Sequence, residues 1–266
     1  MVLKQPVIVE NRPGALYVIG ISALTSAPAD GYTLLALNSS MTSVQAVSHK
    51  FDMLKQLALI SKTSETPALL MVSAKSPFKT AADLVAHAKA NPGKLTYGVA
   101  GPGSGEHLLN LAMERAHGFR GTMIPYKGSA DATIALVGGE IDYQYAPGPL
   151  AAQFQARGAV RPLAVFSPKR AKEFPDVPTA AEAGIPVAPY TYWGGMAAVA
   201  GTPPAIVQAL HRAIAEASAD PEYVSKLQAM GASVALSESS EAYTRDTASE
   251  IERMVAAAKA GNIKLE

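Results

Sequence analysis

The chain has 266 residues, 48% of them hydrophobic and 17% charged, with a formal net charge of +1 at pH 7 and no cysteine. Near-neutrality without a basic run argues against nucleic acid as a partner. No stretch approaches the about 18 consecutive apolar residues of a membrane span, and the missing thiols exclude disulfides, thiolate metal sites and cysteine nucleophiles. The length suits one large domain or two lobes of ordinary size.

In chain order, Met1-Val-Leu-Lys-Gln-Pro6 leads straight into Val7-Ile8-Val9. No charged segment followed by a long apolar one precedes it, so no signal peptide is visible. On that ground the chain reads as cytoplasmic, mature or trimmed. Strands are predicted over 6–10, 32–37, 68–72, 95–99, 122–126, 141–145 and 162–166, several of them continuous apolar runs. Helices fall between them. Thr80 caps one with Asp83 at its third position, and Asn91-Pro92-Gly93 stops it. Ser129 is placed as the cap of the run 130–137, closed by Gly138-Gly139. Thr179 with Glu182 forms a capping-box pattern for a short helix ending at Gly184. This alternation argues for an α/β fold with parallel sheets. Helices then start at Thr202-Pro203 and Asp220-Pro221, the second closing at Gly231, and a third runs from about 238 to 260 and ends at Gly261. Their apolar stripes (Ile206, Leu210, Ile214; Ile251, Met254, Val255) read as core packing.

Polar and proline-rich breaks at 73–77 and 198–204 divide the chain. They predict one lobe from residues 1–74 and 198–266, and a second from the inserted residues 75–197. Two crossings between lobes make a hinge, with the cleft between them as the natural ligand site.

The richest segment is 95–118, where a strand enters Gly101-Pro-Gly103-Ser104-Gly105 and an amphipathic run opens at Glu106. The first turn of a helix has N–H groups without intrahelical partners and a positive dipole end. Bare Gly103 and Gly105 and the Ser104 hydroxyl suit a carboxylate or a phosphate there. Sharper motifs fail. Ser104-Gly105 replaces the Lys-Ser/Thr of a phosphate loop, Pro102 stands where a nucleophile elbow needs glycine, and Glu106 stands where a dinucleotide fingerprint needs its third glycine. No histidine pair has metal-ligand spacing, and His87, His117 and His211 read as boundary residues. His107, in the first turn, either donates to a bound carboxylate or satisfies a neighbouring backbone group. Tyr126-Lys127-Gly128-Ser129 is a second strand-to-helix turn, in which Lys127 is either one wall of an anion pocket or a solvated lysine. Tyr145-Ala146-Pro147 ends a third strand, and Asn38-Ser39 does the same in the other lobe. No carboxylate pairs with an activated nucleophile, so the candidates suit binding better than turnover.

Several segments together resemble one family, the Bug/TctC substrate-binding proteins of tripartite tricarboxylate transporters. They are Val7-Ile-Val-Glu-Asn-Arg-Pro-Gly-Ala15; Asp30-Gly-Tyr-Thr-Leu-Leu35; Ala90-Asn-Pro-Gly-Lys94 with Tyr97-Gly98; Gly103-Ser-Gly-Glu-His107-Leu; Pro125-Tyr-Lys-Gly128; Gly138-Gly-Glu-Ile-Asp142; Phe174-Pro-Asp-Val-Pro-Thr179 with Glu182-Ala-Gly184; and Trp193-Gly194 leading to Ala200-Gly-Thr-Pro203. The resemblance implies a two-lobed, type II periplasmic-binding-protein fold that closes on a small carboxylate without cofactor or metal. The positions it carries over are Gly103, Ser104, Gly105 and His107, with Tyr126, Lys127, Gly128, Ser129, Tyr145, Ala146 and Pro147 nearby, and Asn38 and Ser39 from the other lobe. It implies a periplasmic location and a membrane transporter or a sensor as partner; a monomer is the default. Two departures stand out. Members normally carry a signal peptide, a strand, a Pro-Gly-Gly loop and a long helix before Glu10-Asn-Arg-Pro-Gly14, so the first strand and helix of the first lobe are expected to be missing. Ala15-Leu16-Tyr17-Val18 replaces the usual glycines and asparagine. Two alternatives stay open: a transferase-type enzyme using the Gly103–Gly105 turn for phosphate, and a vestigial or cytoplasmic ligand-sensing module.

Overall fold

The computed structural model describes residues 3, 5–12, 14–48 and 50–260. Pro13, His49 and Gly261, the predicted end of the last helix, lie outside the described residues. The predicted strand at 6–10 does not form: the segment has no regular structure, and Val7, Ile8 and Val9 are 75%, 84% and 84% exposed. Three β-branched residues favour an extended backbone, but a strand needs a neighbour for its N–H and C=O groups.

The elements follow in chain order. Helix α1 is Val18–Thr25, strand β1 Leu35–Asn38, α2 Ser40–Ser48, α3 Met53–Gln56 and β2 Leu57–Ser73. Then come α4 (Ala81–Ala90), β3 (Thr96–Val99), α5 (Gly105–His117), β4 (Thr122–Pro125), α6 (Ser129–Gly138), β5 (Tyr143–Pro147), α7 (Gly148–Gln155) and β6 (Val160–Val165). The last are β7 (Thr191–Val199), α8 (Pro204–Ser218), α9 (Pro221–Ala229), β8 (Ser233–Val234) and α10 (Ser240–Ala260). At α4 the capping box forms as expected: the Asp83 amide donates to Thr80 Oγ1 at 3.1 Å, and Asp83 Oδ2 accepts from the Thr80 amide at 2.9 Å. The Thr179–Glu182 box also forms, with reciprocal bonds of 3.1 and 2.8 Å, but it closes turns rather than a helix. Gly184, in the left-handed region at φ 73°, stops the chain before a second turn can build.

The residues group into two compact units. Unit 1 takes the described residues of Met1–Glu65 and Ser233–Glu266, with Trp193–Leu227; unit 2 takes Thr66–Tyr192 with Gln228–Ala232. The chain passes from unit 1 to unit 2 within β2 and back within β7.

In unit 1, β1 runs antiparallel to β7, and Ser64-Glu65 of β2 runs antiparallel to β8. Its core includes Ile21, Leu24, Met41, Met53, Trp193 and Tyr243. Partly buried Glu250 of α10 ties two elements to that core. It accepts from Thr42 Oγ1 of α2 at 2.9 Å and from Trp193 Nε1 at 2.8 Å.

In unit 2, β2 lies between β5 and β6, antiparallel to both, and β3 lies between β5 and β4, parallel to both. Parallel neighbours need a helical crossover, and only β3-α5-β4-α6-β5 supplies consecutive ones. The expected parallel sheet is therefore confined to these three strands. Residues 68–72 of β2 are fully buried on both faces, with Ala68, Leu70 and Val72 in one core and Leu69 and Met71 in the other. That is why the segment reads as a continuous apolar run.

Candidate functional site

Because β3, β4 and β5 are parallel, their C-terminal ends share one edge of the sheet. The turns leaving that edge are 100–104 into α5, 126–128 into α6, and Pro147 into α7. Successive crossovers start at the central strand, go to one neighbour, then return past it to the other. A switch of this kind leaves the strand ends accessible to a ligand.

The glycine turn is held by local bonds. Gly101 and Gly103 occupy the left-handed region at φ 124° and 79°, which a side chain would resist. Ser104 is the N-cap of α5, and its hydroxyl accepts from the His107 amide at 3.4 Å. The Gly103 amide donates to His107 Nδ1 at 3.0 Å. That bond needs a bare Nδ1, so the ring is neutral with its proton on Nε2. Burial supports the same state by holding the imidazole pKa below its ordinary 6.5. His107 thus satisfies a neighbouring backbone group through Nδ1. With the third amide of the turn capped by Ser104, the amides of Gly105 and Glu106 are the first-turn donors that the helix itself cannot satisfy. The Ser104 hydroxyl, accepting one bond, still has its hydrogen to give.

Gly105 has a steric role beyond the expected one. A Cβ there would collide with the Tyr190 hydroxyl oxygen, so the bare Cα accommodates a tyrosine of the same unit. The Tyr190 and Tyr192 rings meet edge to face at 5.1 Å.

Ser129 departs from its expected role as well. The N-cap of α6 is Gly128, and Ser129 is the first helical residue. Its hydroxyl donates to Glu106 Oε1 at 2.5 Å. Glu106 is 1% exposed, and its carboxylate lies where the first turns of α5 and α6 meet. Behind it, Asn110 Nδ2 donates to the Glu106 carbonyl at 2.8 Å, and Gln144 Nε2 donates to the Ser129 carbonyl at 2.9 Å. Lys127 is exposed and makes no ion pair among the described residues. Tyr126 is half-buried against the core, with its phenol pKa raised by burial and by nearby Glu140.

The other candidates are each held by contacts within their own unit. The Tyr145 side chain is wholly buried and its hydroxyl donates to Met113 Sδ at 3.1 Å, so that ring belongs to the core. Ala146 and Pro147 pair with Leu69 and Ala68 of β2. In unit 1, Asn38 Oδ1 accepts from the Ser40 amide at 3.0 Å and from the Tyr17 hydroxyl at 3.3 Å. Ser39 is buried and its amide donates to the Trp193 carbonyl at 3.0 Å. Just upstream, Ala15, Leu16 and Tyr17 all adopt left-handed φ of 48°, 53° and 72°, a costly run for non-glycine residues.

Three residues of the cluster carry no sequence signal of their place in it: Glu106, Tyr190 and Tyr192. Glu106 looks like an ordinary first-turn acid favoured by the dipole, and only burial distinguishes it. The tyrosines lie more than 80 residues along the chain, beyond the reach of local pattern.

The model of the tripartite tricarboxylate transporter family receptor matches residues 1–262. A UPF0065 protein from the gbd 5′ region of Cupriavidus necator is 38% identical over 223 residues, which cover 84% of this chain and 68% of that one. A solved structure described as a periplasmic transporter aligns with a TM-score of 0.90 at 32% identity, covering 99% of this chain and 89% of that one. The Rpa4515 protein of R. palustris, solved with adipate, aligns with a TM-score of 0.86 at 30% identity, covering 92% and 83%.

Proposed function

We propose that this chain, which belongs to the tripartite tricarboxylate transporter receptor family, captures a small carboxylate at the first turn of α5 and delivers it to a membrane transporter. The family is one of periplasmic solute receptors, not enzymes, and the fold is the two-lobed α/β fold of its solved neighbours. The observation that carries the reading is the capped glycine turn: the Gly105 and Glu106 amides and the Ser104 hydroxyl hydrogen are donors with no acceptor among the described residues. A relative solved with adipate supports a carboxylate as that acceptor. The donors are backbone groups on a rigid turn, so they bind without contributing a base or a nucleophile.

A thermal-shift screen of mono-, di- and tricarboxylates and aromatic acids tests the proposal. A ligand that binds only the native state at a hundred times its Kd stabilises it by about 2.7 kcal/mol, enough to raise the melting temperature by a few degrees. If no acid moves the melting temperature at millimolar concentration, the proposal fails. Transport partnership has its own test: co-purification with the transporter's membrane subunits in the presence of the acid that binds, and loss of uptake when the gene is deleted.

A further inference from the structure

The proposed binding turn carries a charge of its own. Glu106 is the acidic residue in the first turn of α5 and is 1% exposed. One of its oxygens accepts from Ser129, while Oε2 is buried and has no hydrogen-bond partner among the described residues. No cation pairs with it among the described residues. The Tyr192 phenol is close enough to feel its charge, yet the Tyr192 hydroxyl is likewise without a partner among the described residues.

A buried carboxylate oxygen without a donor is costly, and a ligand that supplies the donor gains what the protein alone does not provide. An anion seated on the Gly105 and Glu106 amides also lies beside this second anion, in surroundings where water screens poorly. A bare carboxylate is repelled; one that brings a donor turns the repulsion into a charge-assisted hydrogen bond.

We propose that Glu106 determines specificity, selecting carboxylates that carry a hydrogen-bond donor, a hydroxyl or an ammonium, next to the acid group. The donor meets Oε2 directly or through one water. This inference rests on the reading that the α5 turn holds a carboxylate.

Titration calorimetry of the full chain with malate, aspartate and succinate provides the test, since these share a four-carbon diacid skeleton and differ in the donor. The wild-type protein is expected to bind malate and aspartate about tenfold to a hundredfold more tightly than succinate, the range of one hydrogen bond to a charged group. Glu106→Gln keeps an acceptor for Ser129 but removes the charge, and should bring the three acids to within about threefold of one another. Ser129→Ala removes the bond to Oε1 but keeps the charge, and should retain the wild-type order. Equal wild-type affinities overturn the inference and leave the carboxylate-binding turn standing; an unchanged gap in Glu106→Gln does the same. Failure of every acid to bind the wild type removes the underlying reading as well. Because the wild-type comparison is decisive alone, loss of folding in a variant, checked by circular dichroism, does not rescue the inference.

Discussion

The His107 ring works only when neutral, because its Nδ1 must accept from the Gly103 amide. Burial lowers its pKa below 6.5 in the folded protein, while the unfolded chain has the ordinary value. The unfolded state therefore takes up the proton first as pH falls. The ring's contribution to stability is complete above pH 6.5 and is lost as pH drops through the folded value. Melting temperature is expected to fall between about pH 7 and pH 5, and to fall less in His107→Asn, whose Oδ1 takes the place of Nδ1 and accepts the same bond without titrating. His117 is shifted in the same direction, by burial and by Lys89, and keeps its share in both proteins. Equal slopes in wild type and variant would count against the assignment. Gly105 makes a steric prediction. Gly105→Ala drives a methyl group into the Tyr190 hydroxyl and should cost about 1–3 kcal/mol in urea unfolding. Repeating it in a Tyr190→Phe background should recover only part of that loss, because the ring carbon beyond the hydroxyl would still lie 2.8 Å from the new Cβ. An additive double mutant would show that the two residues do not share the space.

At the scale of elements, helix starts are written locally and strand pairing is not. The Thr80–Asp83 box sits on an exposed helix end, so Thr80→Ala should cost about 1 kcal/mol in chemical denaturation without touching the core. A loss below the error of the method would mean that packing alone holds α4. Capping patterns such as those at Thr80 and Thr179 are readable because their partners lie three residues away. Ser129 misleads for the opposite reason. Its partner Glu106 is 23 residues distant, with the rest of α5 and the whole of β4 between them in the chain. The segment 6–10 misleads because β-branched residues signal extended chain but not a neighbour. Strand β7 is hidden because its first half, Thr191-Tyr-Trp-Gly-Gly-Met, interrupts the apolar pattern with glycines. Those glycines answer to tertiary contacts: a Cβ on Gly194 would fall 2.9 Å from Ser64 Oγ, and one on Gly195 would collide with the Tyr243 hydroxyl.

For the molecule as a whole, composition and motif order point to an α/β binding protein, while the division into units is set by contacts that no local signal marks. The chain changes unit between Glu65 and Thr66, inside a strand that runs on through both, and again inside β7. Each unit has its own hydrophobic cores, one built around Met41, Met53 and Trp193, the other around Leu70, Tyr143 and Tyr145. Separate cores imply separately tunable stability. Glu250 is the place to test this, because it joins α2, α10 and β7 through two bonds to a charged acceptor. Glu250→Ala leaves Trp193 Nε1 short of an acceptor, while Thr42 Oγ1 keeps the Ser39 carbonyl at 2.7 Å, and should cost about 1–3 kcal/mol in unit 1. Hydrogen exchange read by mass spectrometry should then show faster exchange in α2 and β7 peptides. The β3 and α5 peptides of unit 2 should keep their wild-type protection, and ligand affinity at the α5 turn should stay within about twofold. Uniform loss of protection across both units would instead make the protein a single cooperative body, in which the binding turn depends on every core at once.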